Sequence, residues 1–244
     1  MSRLIARTLG FAARLRRCDN GLAFVEFAMA LPVLTTLSLA GLESANLALA
    51  HLRVSNIAMM AADNGSRVRD SIDESNIIEL FTGTKLTGDS IDFRNNGRII
   101  LSSIEQSPFD DENNGNGNDP GGCDESNPGN GECDPNGAQW IRWQRCDGAR
   151  NVASAYGAEG AGQNDATLQS VGSSDNRISA GEGTAVILAE VVYEYQPLVS
   201  DAIFGQPIIR YEAAFNVRQR TNQTLTNTSN LSAAQIRTCN WRQP

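Results

Sequence analysis

The residues of this chain that could carry out covalent chemistry are few and are spread along the sequence. There is one histidine, His51, in 244 residues, and no nucleophile motif lies near it. Serine and cysteine nucleophiles need an adjacent base, so the Ser-His-Asp and Cys-His mechanisms lack one here. The G-x-S-x-G, P-loop and H-E-x-x-H motifs do not occur, and no pair of carboxylates is singled out for glycoside hydrolysis. We expect no enzyme activity and a solvated position for His51 on a helix.

Oxygen ligands are concentrated in one acidic segment, residues 109–137, which is otherwise mostly Asn, Gly and Pro. Such a composition cannot bury a core, so we expect a solvated loop or a disordered insert. A calcium loop is the alternative, because hard cations prefer several oxygen ligands on a turn-rich segment. The candidate ligands are Asp111, Asn114, Asn116 and Asp119. The EF-hand pattern is not met, since Cys123 stands where the bidentate glutamate belongs, and no other cofactor is indicated.

Composition narrows the choice between other classes of protein. Apolar residues make up 41% of the chain, which is enough for one packed core, and the formal net charge is −8. Nucleic-acid binding relies on a basic surface, so this charge argues against a nucleic-acid partner. A structural or binding protein remains.

The N-terminal residues have the pattern of a membrane anchor. Residues 1–21 carry five arginines against one acid, and the 21 residues from 22 to 42 are mostly apolar and carry one charge, Glu26. A helix of that length, at ~1.5 Å per residue, crosses a hydrocarbon core of ~30 Å. By the positive-inside rule the arginines keep the N-terminus in the cytoplasm. We therefore predict a basic leader over 1–21, a transmembrane helix over 22–43 and an exported head.

Glu26 is the unexpected residue of this anchor. A carboxylate inside a membrane helix costs roughly 2.5–3.5 kcal/mol on insertion scales, so such a residue is by default a functional candidate. If the chain is cut after Gly21, Leu22 gains a cationic amine that Glu26 can neutralise, on its own chain or on a neighbour. Snorkelling of Glu26 to the membrane edge is the alternative. Pro32 is tolerated in a membrane helix, and a kink there would set how the helix packs.

These residues resemble a processing site of secreted pilins. The motif consists of a basic leader, the segment Gly21-Leu22-Ala23-Phe24-Val25-Glu26-Phe27, and Pro32. It is similar to the type IVb prepilin site and to the TadE-like pseudopilins of tight-adherence (Tad/Flp) pilus systems. The resemblance implies cleavage between Gly21 and Leu22 by a prepilin peptidase of the bacterial inner membrane. We expect helix pairing to use Glu26 as the pairing carboxylate, with Phe27 at the following position and Pro32 setting how the helix packs.

The same resemblance implies the partners and the location of the protein. The partners are other pilins or pseudopilins and the pilus assembly platform. The head faces the periplasm or belongs to an extracellular pilus. Major pilins usually have tyrosine at the position of Phe27 and are much shorter, so the resemblance is to a minor pseudopilin. The alternative function is a membrane-tethered periplasmic module that binds calcium or a partner.

Beyond the anchor, the pattern predicts a helical stem, 44–69, that continues the membrane helix. Apolar residues recur there at spacings of three and four up to Asn64-Gly65, a helix stop signal. Ser71 and Glu74 then fit a capping box for a short helix that Gly83 closes.

Alternating and β-branched segments follow, and they predict an antiparallel sheet. The strand candidates are 98–104, 140–146, 184–195 and 208–218. A long helix followed by strands favours an α+β, pilin-like architecture with the head at 70–244. The stretch Tyr193-Glu194-Tyr195-Gln196-Pro197-Leu198 also resembles the last strand of TadE-like proteins. We expect residues 109–137 and 151–183 to be excursions from the sheet edge.

Cysteine usage fits an exported head. Cys18 lies in the leader, which leaves an even number of cysteines for an oxidising compartment. Four cysteines allow three pairings. We favour Cys123–Cys133, which closes the acidic loop, and Cys146–Cys239, which joins a strand to the C-terminal tail. A zinc site is the alternative, although there is no C-x2-C pair and His51 is distant.

Overall fold

The computed structural model describes most of the anchor, the stem and the head. The described residues are 20–107, 138–172, 176–181, 183–199, 201, 205–218, 220 and 222–240. The leader up to residue 19, the insert 109–137 with its calcium candidates, and the predicted Cys123–Cys133 pair lie outside them.

Helix α1, Asn20–Arg67, includes both the predicted anchor and the spine of the head. The predicted stem positions Ala50, Val54, Ile57 and Ala61 are all buried against the head. The helix ends at Arg67, two residues beyond Gly65 and two before the predicted end of the stem at 69. Gly65 is there for close packing: a Cβ at this position would lie 3.0 Å from the side chain of Ile187.

Four antiparallel strands pack on this spine, as predicted. They are β2, Gly97–Gln106; β3, Gln139–Asp147; β4, Ala185–Glu194; and β5, Ile208–Asn216. Their order in the sheet is β3-β2-β4-β5, and α1 packs mainly against β4 and β5. β5 runs in the same direction as α1, because residue 198 after β4 contacts Glu43 while Arg218 after β5 bonds to Ser66. The molecule is a mixed α+β protein.

The second face of the sheet is also covered, which corrects the expectation for residues 151–183. Leu168, Val171 and Ala180 from this stretch are buried against the sheet residues Ile104 and Leu188. The stretch follows the edge strand β3, and these three residues pack back over the face opposite α1 instead of extending away from the sheet. Burial on both faces explains why β4 is an almost continuous apolar run and not an alternating one.

The second helix begins and ends differently from the prediction. Helix α2 is Glu74–Gly88, and its N-cap is Asp73 with Asn76 as the reciprocal partner, not Ser71 with Glu74. The shift follows from strand β1, Ile72–Asp73, which pairs in parallel with β6, Leu225–Thr226, and keeps the chain extended up to the cap. Gly83 does not close the helix, which continues for five more residues.

Two short helical segments return the chain to the sheet. A 3-10 helix, Asp89–Ile91, and helix α3, Phe93–Asn96, lead into β2. Phe93 fills the corner between α1 and the sheet. A Cβ added at Gly88 would lie only 2.5 Å from the Cβ of Phe93. A glycine is therefore needed at position 88 for close approach rather than for a turn.

The C-terminal tail is fixed to the edge strand β3. Cys146 and Cys239 form a disulfide, which is the pairing predicted for them, so neither is a zinc ligand. The amide of Cys146 also donates to the carbonyl of Arg237, and the buried guanidinium of Arg98 donates to the carbonyl of Cys239. The tail thus covers part of an edge that would otherwise be open to strand addition.

Asp73 joins the helix α2 cap to the tail. Its carboxylate accepts hydrogen bonds from the amide and hydroxyl of Ser75, from the amide and hydroxyl of Thr228, and from the hydroxyls of Thr226 and Ser229. Burial alone would raise the pKa of Asp73, but the hydrogen bonds from Ser75 and Thr228 outweigh it and hold the pKa well below its usual range.

We expect Asp73→Asn to lower the free energy of unfolding by about 2 kcal/mol at neutral pH, because a charge-assisted acceptor is lost from a buried site. A depressed native pKa means that the stabilisation is fully present above the unfolded-state value near 4 and is lost as the pH falls towards the native value. The difference in the free energy of unfolding between wild type and Asp73→Asn should therefore become smaller as the pH falls. Urea unfolding of the full chain in detergent micelles, followed across this pH range, measures it.

Asp63→Asn is the matched control. Asp63 pairs with Arg67 on the surface of α1, and such exposed pairs contribute under about 1 kcal/mol. A destabilisation by Asp73→Asn that stayed constant from neutral to acid pH would contradict the assignment.

Candidate functional site: the apolar helix and its junction with the head

The first part of α1 stands free of the head. Residues 21–39 are all exposed, and Phe24 exposes 75% of its surface. The helix has an 18-residue window of mean hydropathy 1.8, none of it buried, and it is the one helix among the described residues that is long and apolar enough to cross a membrane. Exposed apolar surface of this extent needs a cover, such as lipid or other helices.

The predicted processing and pairing residues lie in the first turns of this free segment. Gly21 is in the first turn, and a Cβ there would meet no atom within 4 Å. Leu22 and Glu26 are four residues apart, so they share one face of the helix. Glu26 is exposed and makes no hydrogen bond or ion pair with any of the described residues, and Phe27 is likewise exposed.

Pro32 lies inside the continuous helix. Proline lacks an N–H, so one carbonyl of the preceding turn loses its partner. Two hydroxyls follow at once: Thr35 donates to the carbonyl of Leu31 at 2.9 Å, and Thr36 donates to the carbonyl of Pro32 at 2.9 Å. These bonds satisfy the two hydroxyls within the helix itself, which an apolar environment requires; they do not replace the bond that the proline removes.

The head first contacts α1 at Glu43, which has no exposed surface. Its carboxylate accepts a hydrogen bond from the hydroxyl of Tyr195 at 2.5 Å, from the amide of Val199 at 2.8 Å and from the amide of Leu198 at 3.1 Å. The Glu43 carboxylate is thus bound by the turn that follows strand β4. We call Glu43, Tyr195, Leu198 and Val199 the junction.

The hydroxyl of Tyr195 also accepts a hydrogen bond from a second residue of α1. Asn46, one turn beyond Glu43, donates to the Tyr195 hydroxyl at 2.8 Å, and that hydroxyl donates to Glu43. Burial and the hydrogen bond to the Glu43 carboxylate raise the pKa of Tyr195 to about 12, so the hydroxyl keeps its proton at any physiological pH. Successive donors of this kind polarise one another, which strengthens each bond in a dry site.

The junction defines where the free part of α1 ends. The predicted span 22–43 includes Glu43, which the head binds, so the free segment is residues 21–42. Leu198, which exposes 63% of its surface, Val199 and Ile208 present apolar side chains at this end of the head. This end is therefore suited to contact the surface of a bilayer.

Sequence reasoning missed the junction, although two signals pointed to it. Glu43 is the second acid in an otherwise apolar run, and Tyr195 lies in the stretch that resembles the last TadE-like strand. It also placed His51 in solvent, which is wrong. His51 is half-buried, with its Nδ1 3.3 Å from the hydroxyl of Tyr211 on β5 and the two rings edge to face.

The remaining predicted ligands do not assemble a metal centre within the part of the chain that is described. No group of three or more His, Cys, Asp or Glu there could hold a metal ion. Cys146 and Cys239 lie on the sheet edge at β3, away from α1.

Comparison with protein-family models, with curated proteins and with solved structures finds no match to this chain.

We expect Glu43→Gln to loosen the junction without unfolding the head, because a neutral amide accepts more weakly than a carboxylate. Amide hydrogen exchange of a peptide covering residues 196–199, measured by mass spectrometry on the full chain in micelles, should accelerate by about tenfold, the factor that one charge-assisted hydrogen bond represents. Peptides from the centre of β4 should not change.

Glu26→Gln on the same helix provides the comparison and should leave exchange at 196–199 as in the wild type. Equal exchange in wild type and Glu43→Gln would show that the carboxylate does not hold this turn.

Proposed function

We propose that the chain is a minor pseudopilin-like protein that takes part in the assembly of a Tad/Flp-type pilus. It is anchored in the inner membrane by α1, with the head in the periplasm, and it packs with pilin helices through the free segment 21–42. Its partners are a prepilin peptidase, other pilins or pseudopilins and the assembly platform. Its role is structural rather than catalytic.

One observation carries this proposal: a single helix is both an uncovered apolar rod and the spine of the head. The segment before Glu43 is exposed, and the segment after it is buried along one face. A simple tether needs only a span joined to a domain by a linker. A continuous rigid rod instead fixes the head relative to whatever the free segment packs against, as assembly into an ordered filament requires.

Glu26 supports the filament function over a simple tether. It is the one charge in the free segment, it has no partner among the described residues, and it shares a helix face with Leu22. A carboxylate in such a position is costly unless an opposite charge meets it. The amine that cleavage after Gly21 creates at Leu22 of a neighbouring helix meets this requirement and fixes the axial register between helices.

The basic leader supports the proposed orientation of the protein in the membrane. Five arginines precede the free segment, and the chain after it is acidic overall. The arginines are retained on the cytoplasmic side by the positive-inside rule. The disulfide between Cys146 and Cys239 is consistent with a head in an oxidising compartment.

We expect the mature protein to begin at Leu22. Mass spectrometry of the protein isolated from membranes of a host that has the peptidase should find the N-terminal peptide starting there. Gly21→Ala should block the cut, because the peptidase must accommodate the residue before the scissile bond. An intact leader on the wild-type protein in that host would contradict the proposal.

We expect Glu26→Ala to abolish or strongly reduce pilus assembly while membrane insertion is retained, because an alanine helix inserts at least as readily as one with a buried carboxylate. Pili are counted by electron microscopy, and insertion is measured by carbonate extraction of membranes.

Thr36→Ala is the control in the same helix, since it removes only a bond to the helix's own carbonyls. It should assemble normally. Normal piliation by Glu26→Ala would overturn the pairing role and favour a tether.

A further inference from the structure

The face of the stem that points away from the head carries a second apolar surface. From residue 42 to residue 59 of α1, one row of residues recurs at alternating spacings of three and four and is exposed throughout. The row consists of Leu42, Ala45, Leu49, Leu52, Asn56 and Met59. We call it the outer stripe.

The head cannot cover the outer stripe, because it already occupies the opposite face of the same helix. Ala50, Val54, Ile57 and Ala61 point into the core. By contrast, Leu49 and Leu52, in the same turns, expose 52% and 61% of their surfaces. All six residues of the stripe are exposed in the part of the chain that the structure describes.

A bilayer covers only the beginning of the outer stripe. The free segment 21–42 is by itself long enough to cross the hydrocarbon core at ~1.5 Å per residue. Met59 is 17 residues beyond Leu42, which puts it about 25 Å farther along the axis. Leu49, Leu52 and Met59 therefore lie in water, where an apolar row marks a site of protein association.

The spacing identifies the kind of partner. Positions that alternate by three and four form the a and d seam of a coiled coil, with Leu42, Leu49 and Asn56 at a and Ala45, Leu52 and Met59 at d. The same register extends into the free segment through Phe24, Leu31 and Ser38. The occupant is therefore an α-helix that runs parallel to α1 from the membrane outwards.

Asn56 indicates that this helix belongs to a second copy of the chain. A single asparagine at an a position favours a two-stranded parallel coiled coil in which the two asparagines meet and fix the register. The flanking positions Asn46, Ala48, Arg53 and Ser55 carry one charge among them, so an identical helix meets no strong repulsion. We propose that two copies of this chain associate through the outer stripe as a parallel coiled coil just outside the membrane.

This pairing requires membrane insertion but does not rest on the proposed role in a pilus. It would hold equally for a tethered binding module. Its test therefore uses the purified full chain in lipid vesicles, with no other pilus protein present, so that its failure and the failure of the pilus role remain distinct.

Single cysteines on the outer stripe should form a disulfide between two copies. Ala45→Cys, Leu49→Cys and Leu52→Cys are each placed in a chain in which Cys18, Cys123 and Cys133 are serine and the Cys146–Cys239 disulfide is kept. Parallel in-register pairing brings each residue against itself, within the Cα separation of ~7 Å that a disulfide allows. Mild oxidation in vesicles should convert most of the protein to a covalent dimer on a non-reducing gel.

Ser44→Cys is the matched control, because Ser44 is exposed and adjacent to Ala45 at the same height, but about 100° away around the helix. It should give at least fivefold less dimer. Leu49→Glu with Leu52→Glu, added to Ala45→Cys, should abolish the cross-link, and Cys146–Cys239 should stay oxidised as a check on folding. Equal cross-linking at 44 and 45, no cross-linking at 45, 49 and 52, or insensitivity to the glutamates would each overturn the proposal.

Discussion

Glu43 accepts hydrogen bonds from the hydroxyl of Tyr195 and from the amides of Leu198 and Val199 at the point where helix α1 leaves the head. A carboxylate without exposed surface is stable there only because these donors replace its water. The bonds join α1 to a turn more than 150 residues away in the sequence. The helix has an exposed segment before Glu43 and a segment packed on the head after it. The bonds at Glu43 fix the head at a defined position along the helix axis, where these two segments meet.

The sheet makes this attachment stiff. β4 lies between β2 and β5, is covered by α1 on one face and by Leu168, Val171 and Ala180 on the other, and ends at Glu194, directly before Tyr195. The hydroxyl of Tyr193 also donates to the carbonyl of Ile91, so the end of the strand is held from two sides. A displacement of α1 at Glu43 is therefore passed to the central strand of the head rather than absorbed by a loop.

The parts of the molecule that were predictable depend on local signals, and the parts that were missed depend on distant ones. The four long strands and the buried face of the stem follow from β-branched runs and from spacings of three and four within short windows. The cap of α2 moved from Ser71 to Asp73 because β1 pairs with a segment about 150 residues later. Glu43 likewise meets Tyr195, directly after β4, and His51 meets Tyr211 on β5, and no window of the sequence contains both members of either pair.

The two proposed interactions use different sides of α1. Phe24, Ala28 and Leu31 continue the register of the outer stripe, and Glu26 lies on the opposite side of those turns, because two residues correspond to a rotation of about 200°. A pair of chains joined along the stripe therefore leaves both copies of Glu26 facing outwards. Each carboxylate remains available to the amine of a further helix, so pairing of stems and growth of a helical stack do not compete for the same surface. A rod that dimerised through the face bearing Glu26 would instead bring two carboxylates together in lipid, where their repulsion is largest.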